Sequence, residues 1–489
     1  MAASSADYRV DSEKQDMSRD DFTLQSEDEP KQGIENTEEQ LEPQRVENNS
    51  LEQWNSPGIN RYRYLAANFG FIIMGMNDAA YGALIPYLEE YYDINYTVIS
   101  LVFLAPFIGY SAAALLNNKV HMRFGQLGVA IISPTCKIIA YVVTCVHPPY
   151  PVLPIIFVLS GFGNGLEDGG WNAWIGNMEN SNELLGFLHG AYGLGATISP
   201  LIATAMVTKG NLQWYTFYYV MLGVAVLELA LCAWFFRAAT GAAHRAAHPT
   251  NNDKTGTSRT REALRNPITW ICALFLLFYV GVEVSLGGWL VTFMLKVRHG
   301  KAFESGLVVT GFWLGLTCGR VILGFVTGKI GEKIAIAAYM VICLGLELCF
   351  WLIPNFIASA VFAAWLGFFL GPLFPAAIVV ATKLLPRRLH VSAIGFAAAF
   401  GGGGAAVLPF AVGAIAQAKG VSVLQPIVLA ILVAILALWC MLPGGFGKSG
   451  LDDLQRERDE GGEGVVEEGR AKGFEGKIAR LRIRIFGVQ

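Results

Sequence analysis

The chain has 489 residues, 53% hydrophobic and 15% charged, with a mean hydropathy of +0.43 and a formal net charge of −3. A soluble domain of this size usually carries about 25% charged residues, so the composition excludes an ordinary soluble fold. Basic residues stand singly instead of forming a patch or stripe, which argues against nucleic acid as a partner.

In chain order, residues 1–60 come first, with fifteen Asp/Glu against five Lys/Arg and almost no aliphatic runs. That composition predicts a disordered acidic tail. It is no signal peptide, because it lacks a positive n-region and an apolar h-region, so the first apolar segment is expected to act as an uncleaved anchor. Apolar runs then dominate to residue 442. They predict twelve spans, 64–86, 97–117, 127–146, 152–174, 184–207, 214–236, 268–290, 304–327, 334–353, 357–382, 391–416 and 423–442. Each is near the roughly 20 residues that cross a bilayer as a helix. A backbone in hydrocarbon must satisfy its own polar groups, so each span is expected to be helical. The stretch 238–266 divides the spans six and six and reads as a flexible or partly helical linker. The Gly-rich, charged stretch 443–489 reads as a second tail. The expected fold is therefore all-α: twelve transmembrane helices in two six-helix bundles, 61–237 and 267–442.

Lys119, His121 and Arg123, then Arg237, Arg245, Lys254, Arg259, Arg261 and Arg265, then Lys329 and Lys333, and finally Lys383, Arg387 and Arg388 all fall in loops on one side. The other side has Glu89, Glu90 and Asp93, with Lys296, Arg298 and Lys301 as the exception. The bias of Lys and Arg toward cytosolic loops places both termini in the cytosol. The eight cysteines, Cys136, Cys145, Cys232, Cys272, Cys318, Cys343, Cys349 and Cys440, lie in apolar runs with no CxxC, and read as small buried hydrophobes.

The two halves repeat. Phe107-Ile-Gly-Tyr-Ser111 through Arg123-Phe-Gly125 overlays Trp313-Leu-Gly-Leu-Thr317 through Lys329-Ile-Gly331 at an offset of 206. At the same offset Asn77 falls on Glu283 and Gly161 on Gly367, and Pro200 matches Pro409 at 209. One six-helix unit present twice is the signature of a duplicated transporter.

This pattern, with a basic loop after the second helix of each half, resembles the major facilitator superfamily over residues 61–442. Of that family's loop motif, Gly-x-x-x-Asp-Arg-x-Gly-Arg-Arg, the first half keeps Arg123-Phe-Gly125 and the second Gly324-x-x-x-Gly328-Lys-x-Gly331, without the acidic residue. Gly75-Met-Asn-Asp-Ala79, Gly161-Phe-Gly-Asn-Gly-Leu-Glu167, Trp171-Asn172, Asn177 and Phe187-Leu-His-Gly-Ala-Tyr-Gly-Leu-Gly-Ala196 resemble the fucose:proton symporter branch, including its uncharacterised fungal members. The resemblance implies proton coupling through Asp78 and Glu167. His189 and Tyr192 stand where the bacterial sugar symporters of that branch carry amides.

An ionised carboxylate in a bilayer costs about 2.5–3.5 kcal/mol on insertion scales, and persists where it faces a cavity, a partner or a proton. Asp78 lies midway along the first span with no charged sequence neighbour. Glu167 and Asp168 are adjacent and point about 100° apart on a helix, so only one faces fully inward; the family resemblance selects Glu167. Asn164 and Trp171, at i−3 and i+4, are expected on its face, with Asn172 beside them. An amide, a carboxylate and an indole on one stripe suit a polyhydroxylated ligand. Asn77, His189 and Tyr192 complete the expected substrate site. His189 is a candidate proton relay and has no partner at metal-ligand spacing. Arg320 needs an anionic partner, and a Glu283–Arg320 pair is the candidate for a gate or structural lock. Lys137 and Glu228 read as mid-span charges that pair or line water. The glycine runs are not phosphate loops, since no Gly-Lys-Ser/Thr follows them, and no cofactor is implied.

These readings converge on a secondary transporter without enzymatic chemistry, coupling protons to a small polar solute, a sugar among the candidates. It is expected to be a monomer in the plasma or vacuolar membrane. Two rivals remain: a proton-coupled exporter of drugs or metabolites, for which Gly195-Ala-Thr-Ile-Ser-Pro-Leu-Ile-Ala203 is a partial fifth-helix signature, and a nutrient sensor built on a transporter fold.

Overall fold

The computed structural model describes residues 52–247, 261–386, 389–445 and 450–460. The acidic tail before residue 52, the linker stretch 248–260 with Lys254 and Arg259, the pair Arg387 and Arg388, and the tail after residue 460 lie outside the described residues.

Among those residues the chain is helical and contains no strand. We number the long helices α1 (Ile59–Tyr92), α2 (Leu101–Phe124), α3 (Gln126–Cys145), α4 (Val152–Gly176), α5 (Ser181–Thr208) and α6 (Phe217–Phe235) in the first half. The second half holds α7 (Pro267–Lys296), α8 (Ala302–Ile330), α9 (Glu332–Leu352), α10, α11 (His390–Lys419) and α12 (Leu424–Met441). Helix α10 runs in two pieces, Phe356–Leu370 and Leu373–Leu384. The break falls at Gly371-Pro372, where the proline nitrogen has no hydrogen to donate. Ten of the twelve helices are long and apolar enough to cross a membrane. The two that fall short, α1 and α4, are those that carry Asn77-Asp78 and Asn164, Glu167, Asp168 and Asn172.

Helix starts follow local chemistry. Asn266 caps α7 by accepting from the Ile268 N–H at 2.9 Å, with Pro267 at the first position, and Asn355 caps α10 through the Ala358 N–H at 3.0 Å. Between α2 and α3, and again between α8 and α9, the chain turns at one glycine: Gly125 at φ 72° and Gly331 at φ 101°. Both are left-handed values that glycine adopts without steric penalty, and the two are 206 residues apart.

The repeat is a repeat of packing. In the first half α1 lies on α5, α2 on α4 and α3 on α6; in the second α7 lies on α11, α8 on α10 and α9 on α12. A Cβ added to Gly109 would stand 1.9 Å from the Val158 carbonyl oxygen, and one on Gly161 would stand 2.1 Å from that of Pro106. In the second half Gly315 stands in the same way against Ala364 (2.1 Å) and Gly367 against Phe312 (2.3 Å), every partner displaced by 206. Bare glycine lets the backbones approach this closely.

The halves meet along α5 with α8, α1 with α7, and α2 with α11. The tight approaches gather at the end away from the start of α1. There Gly82 abuts the Gly287 carbonyl, Gly306 abuts Thr204, and Gly413 abuts Ser100 and Trp289. The Tyr96 N–H donates to Gln417 Oε1 (2.9 Å), and Lys209 Nζ sits 4.6 Å above the Phe303 ring. At the opposite end a short helix, Gly241–Ala247, lies on the α2–α3 turn, where Arg245 donates to the Met122 carbonyl at 2.5 Å. A helix over Gly450–Glu460 is tied to the second half by Lys383, which bridges Glu332 and Asp452 at 2.7 Å each.

Candidate functional site

Helix α1 brings Asn77 and Asp78 to the middle of the molecule. Asn77 is buried; its amide donates to Asp78 Oδ1 (3.1 Å) and to the Tyr81 hydroxyl (3.2 Å), and its carbonyl accepts from Tyr141 (3.2 Å). Asp78 is half-buried and accepts a second bond from Tyr192 at 3.1 Å, with Asn164 Nδ2 at 3.5 Å, the limit of a hydrogen bond. Helix α5 can deliver Tyr192 here because Gly75 and Gly195 let it ride against α1: a Cβ on Gly75 would meet the Tyr192 carbonyl at 2.0 Å.

Tyr192 faces both halves. Beyond its bond to Asp78, it has Glu283 and Arg320 of the second half as electrostatic neighbours. Arg320 Nη2 donates to both Glu283 oxygens (2.9 and 3.0 Å) and approaches the Tyr279 hydroxyl at 3.4 Å. Its Nε is buried without a partner. His189 stands edge-on to Phe71 (5.8 Å) and reaches across to Phe374 (6.5 Å), with Arg320 as its charged neighbour. The pairing of Glu283 with Arg320 is thus present in the structure.

The expected stripe on α4 divides. Asn164, Asp168 and Asn172 follow one another at i, i+4 and i+8 along the side turned to α1 and α2. Asn164 approaches Asp78, Asn172 donates to the Asp168 carboxylate at 2.8 Å, and Asp168 has Asp78 and Tyr110 as neighbours. Glu167 instead turns into the interior of the first half. It accepts from Lys137 of α3 at 2.7 Å, and the same ammonium binds Glu228 of α6 at 2.6 Å; all three side chains are 0% exposed. Trp171 follows Glu167 inward and stacks on Phe236 with ring centroids 4.5 Å apart. It is 0% exposed and presents no surface to a solute in this state. The physical reason is angular: Trp171 is four residues past Glu167, so whatever turns Glu167 toward α3 and α6 turns the indole with it.

Sequence reasoning singled out Lys137 and Glu228 as charges without seeing that they converge on Glu167. The available signal was the charge count: within the spans of the first half Lys137 is one base against four acids, Asp78, Glu167, Asp168 and Glu228. Asp168, adjacent to the Glu167 that the family resemblance selects, is the one that stands beside Asp78, and Tyr81, Tyr110 and Tyr141 carry no sequence signal that separates them from packing aromatics. Glu347 of α9 is also fully buried, and both of its carboxyl oxygens are without a partner.

The family model described as Major Facilitator Superfamily matches residues 67–409 and 285–471. The chain is 30% identical over 413 residues to Bypass of stop codon protein 6 of Saccharomyces cerevisiae, covering 78% of this chain and 82% of that protein. It is 22% identical over 361 residues to the Glucose/mannose transporter GlcP of Bacillus subtilis (72% and 88% covered), and 28% identical over 229 residues to the Fosmidomycin resistance protein of Escherichia coli (44% and 52%). Among solved structures, the fold is similar to that of a bacterial homolog of the human lysosomal transporter Spinster in an inward-facing, unoccupied conformation. The TM-score is 0.63 at 12% identity, covering 78% of this chain and 97% of that one.

Proposed function

Because the chain belongs to the Major Facilitator Superfamily, we propose that it is a proton-coupled symporter that carries a small polar solute by alternating access. The observation that carries this reading is the carboxylate of Asp78. It is held by Asn77 and Tyr192 of the first half, and Tyr192 in turn stands beside the Glu283–Arg320 pair of the second. A chain of contacts that reaches from a carboxylate in one half to an ion pair in the other is where solute and proton binding can bias a rocking motion. Asp78 and Glu167 are the coupling carboxylates in this reading. Asn77, Asn164, Asn172, His189 and Tyr192 supply hydrogen bonds to the solute, and Glu283 with Arg320 acts as a gate. Trp171 supports Glu167 by packing, its expected ligand contact given up to Phe236. The halves approach most tightly at the end away from the start of α1, so with that start on the cytosolic side the site opens to the cytosol. Similarity to a glucose/mannose transporter favours a sugar as solute. The membrane is the plasma or vacuolar membrane, and the working unit is a monomer.

The test is transport by the purified protein in liposomes loaded with a pH-sensitive dye. Sugars and other small polar solutes added outside are expected to acidify the lumen, and Asp78→Asn is expected to lose accumulation while retaining at most exchange. Full concentrative uptake by Asp78→Asn defeats the assignment. Similarity to a drug resistance protein over part of the chain supports a second reading, proton-coupled export; silence toward every polar solute, with protection of cells from toxic apolar compounds, moves the assignment there.

A further inference from the structure

Glu167, Lys137 and Glu228 form a closed set inside the first half, on three different helices. Two carboxylates meet one ammonium at 2.7 and 2.6 Å, and none of the three side chains is exposed. One oxygen of each carboxyl group, Glu167 Oε1 and Glu228 Oε2, is buried without a hydrogen-bond partner. Gly70 of α1 covers the set: a Cβ there would stand 2.7 Å from Glu167 Oε1 and 3.1 Å from Glu228 Oε1. The remaining titratable groups around it are Cys136 and Tyr141 on α3, Asp168 on α4, Cys232 on α6 and Asp78 on α1, and none of them brings a positive charge.

With both acids ionised, the set carries one negative charge in excess in a place water does not reach. A charge sealed in the protein interior needs a partner or a proton. Lys137 already serves both carboxylates, and an unpartnered oxygen remains on each. We propose that the Glu167–Lys137–Glu228 set is a proton-binding site that holds one exchangeable proton between the two carboxyl groups, with Lys137 charged throughout. Binding forms one O–H bond on a carboxyl oxygen and release returns the proton to water, so no other reactant is needed. Glu228 and Lys137 thereby join Glu167 in coupling, resting on the symport reading above. The link to the solute site is α4 itself: Asn164, which approaches Asp78, is one helical turn from Glu167. A movement of α4 that follows the solute changes the fit of the set beneath Gly70.

Two measurements on the full-length reconstituted protein separate this proposal from the reading it rests on. The first is infrared difference spectroscopy across a pH titration, following the carbonyl stretch of a protonated carboxylic acid. It is made in the Glu347→Gln background, because Glu347 is itself a buried carboxyl without a partner. The band is expected to be present, with one component that is lost in E228Q and persists in D78N. An E228Q spectrum identical to its parent overturns the proposal, as does absence of the band in the parent. E167Q replaces E228Q if the latter does not fold. The second is transport: E228Q is expected to lose solute-driven lumen acidification while keeping solute counterflow, since Lys137 and Glu167 are then neutral together without a proton. Retained acidification in E228Q overturns the proposal. If the parent shows the band but no solute moves protons, the symport reading fails and the proton site stands.

Discussion

Glu167 and Asp168 are consecutive in the chain, yet one accepts from a buried lysine and the other is half-buried beside Tyr110 and Asp78. Geometry on a helix requires that they diverge by about 100°, but which faces inward depends on how α4 is rotated against α1, α3 and α6. That rotation is a tertiary fact, and the adjacent residues alone do not decide it. Lys137 is the member on which the buried set depends. Lys137→Met is expected to destabilise the protein by about 3–5 kcal/mol, the usual cost of removing one partner from a buried ionic group. The check is the thermal midpoint of the detergent-solubilised protein; an unchanged midpoint argues that the acids need no counter-charge. Tyr192→Phe removes a hydrogen bond to a carboxylate, worth about 1.5–3 kcal/mol, and is expected to weaken half-saturation of solute uptake by roughly tenfold or more. An unaltered uptake curve removes Tyr192 from the site.

At the scale of the helix, the hydropathy pattern located the spans and missed their ends and the break in α10. Helix α1 runs over Ile59–Tyr92 where 64–86 was expected, because its terminal polar residues sit beyond the apolar run. Helices α1 and α4 fall short of a spanning helix in hydropathy because they carry the polar residues of the candidate site. The break in α10 at Gly371-Pro372 was legible in the dipeptide, although the expected span ran straight through it. The glycines at the α2–α4 and α8–α10 crossings make a matched pair. Gly161→Ala and Gly367→Ala each place a methyl group about 2 Å from a backbone carbonyl, and overpacking of this kind costs typically about 1–3 kcal/mol. Gly345→Ala, with nothing within 4 Å of its Cβ position, is expected to be neutral or slightly stabilising. Thermal midpoints of the three variants check this, and equal shifts in all three contradict the crossing geometry.

For the whole molecule, the relevant contacts are those the halves make with one another. Gly306 and Thr204 meet where α8 and α5 close the end away from the start of α1, with a Cβ built on Gly306 only 2.7 Å from Thr204 Cβ. A relaxation of about 1 Å brings the pair into the range of a disulfide. The double variant Thr204→Cys/Gly306→Cys, in a background without the eight native cysteines, is expected to cross-link on oxidation and to stop transport until reduced. Normal transport by the cross-linked protein shows that the halves do not separate there.

The sequence by itself determined that the chain is helical, that it spans a membrane, and that it is built from one unit used twice. These follow from local rules: hydropathy over a span, backbone self-satisfaction in hydrocarbon, and a constant offset between matching residues. It also supplied the polar residues of the site, because a charge in a span is rare enough to be noticed. Only the tertiary structure decided which of them meet. Asp78 joins Tyr192 across a glycine-lined crossing, Arg320 finds Glu283 on the neighbouring helix, and Glu167 turns from the expected solute stripe to Lys137 and Glu228. Those pairings depend on how helices distant in sequence rotate and pack against one another, and helical periodicity within one chain segment does not encode that rotation.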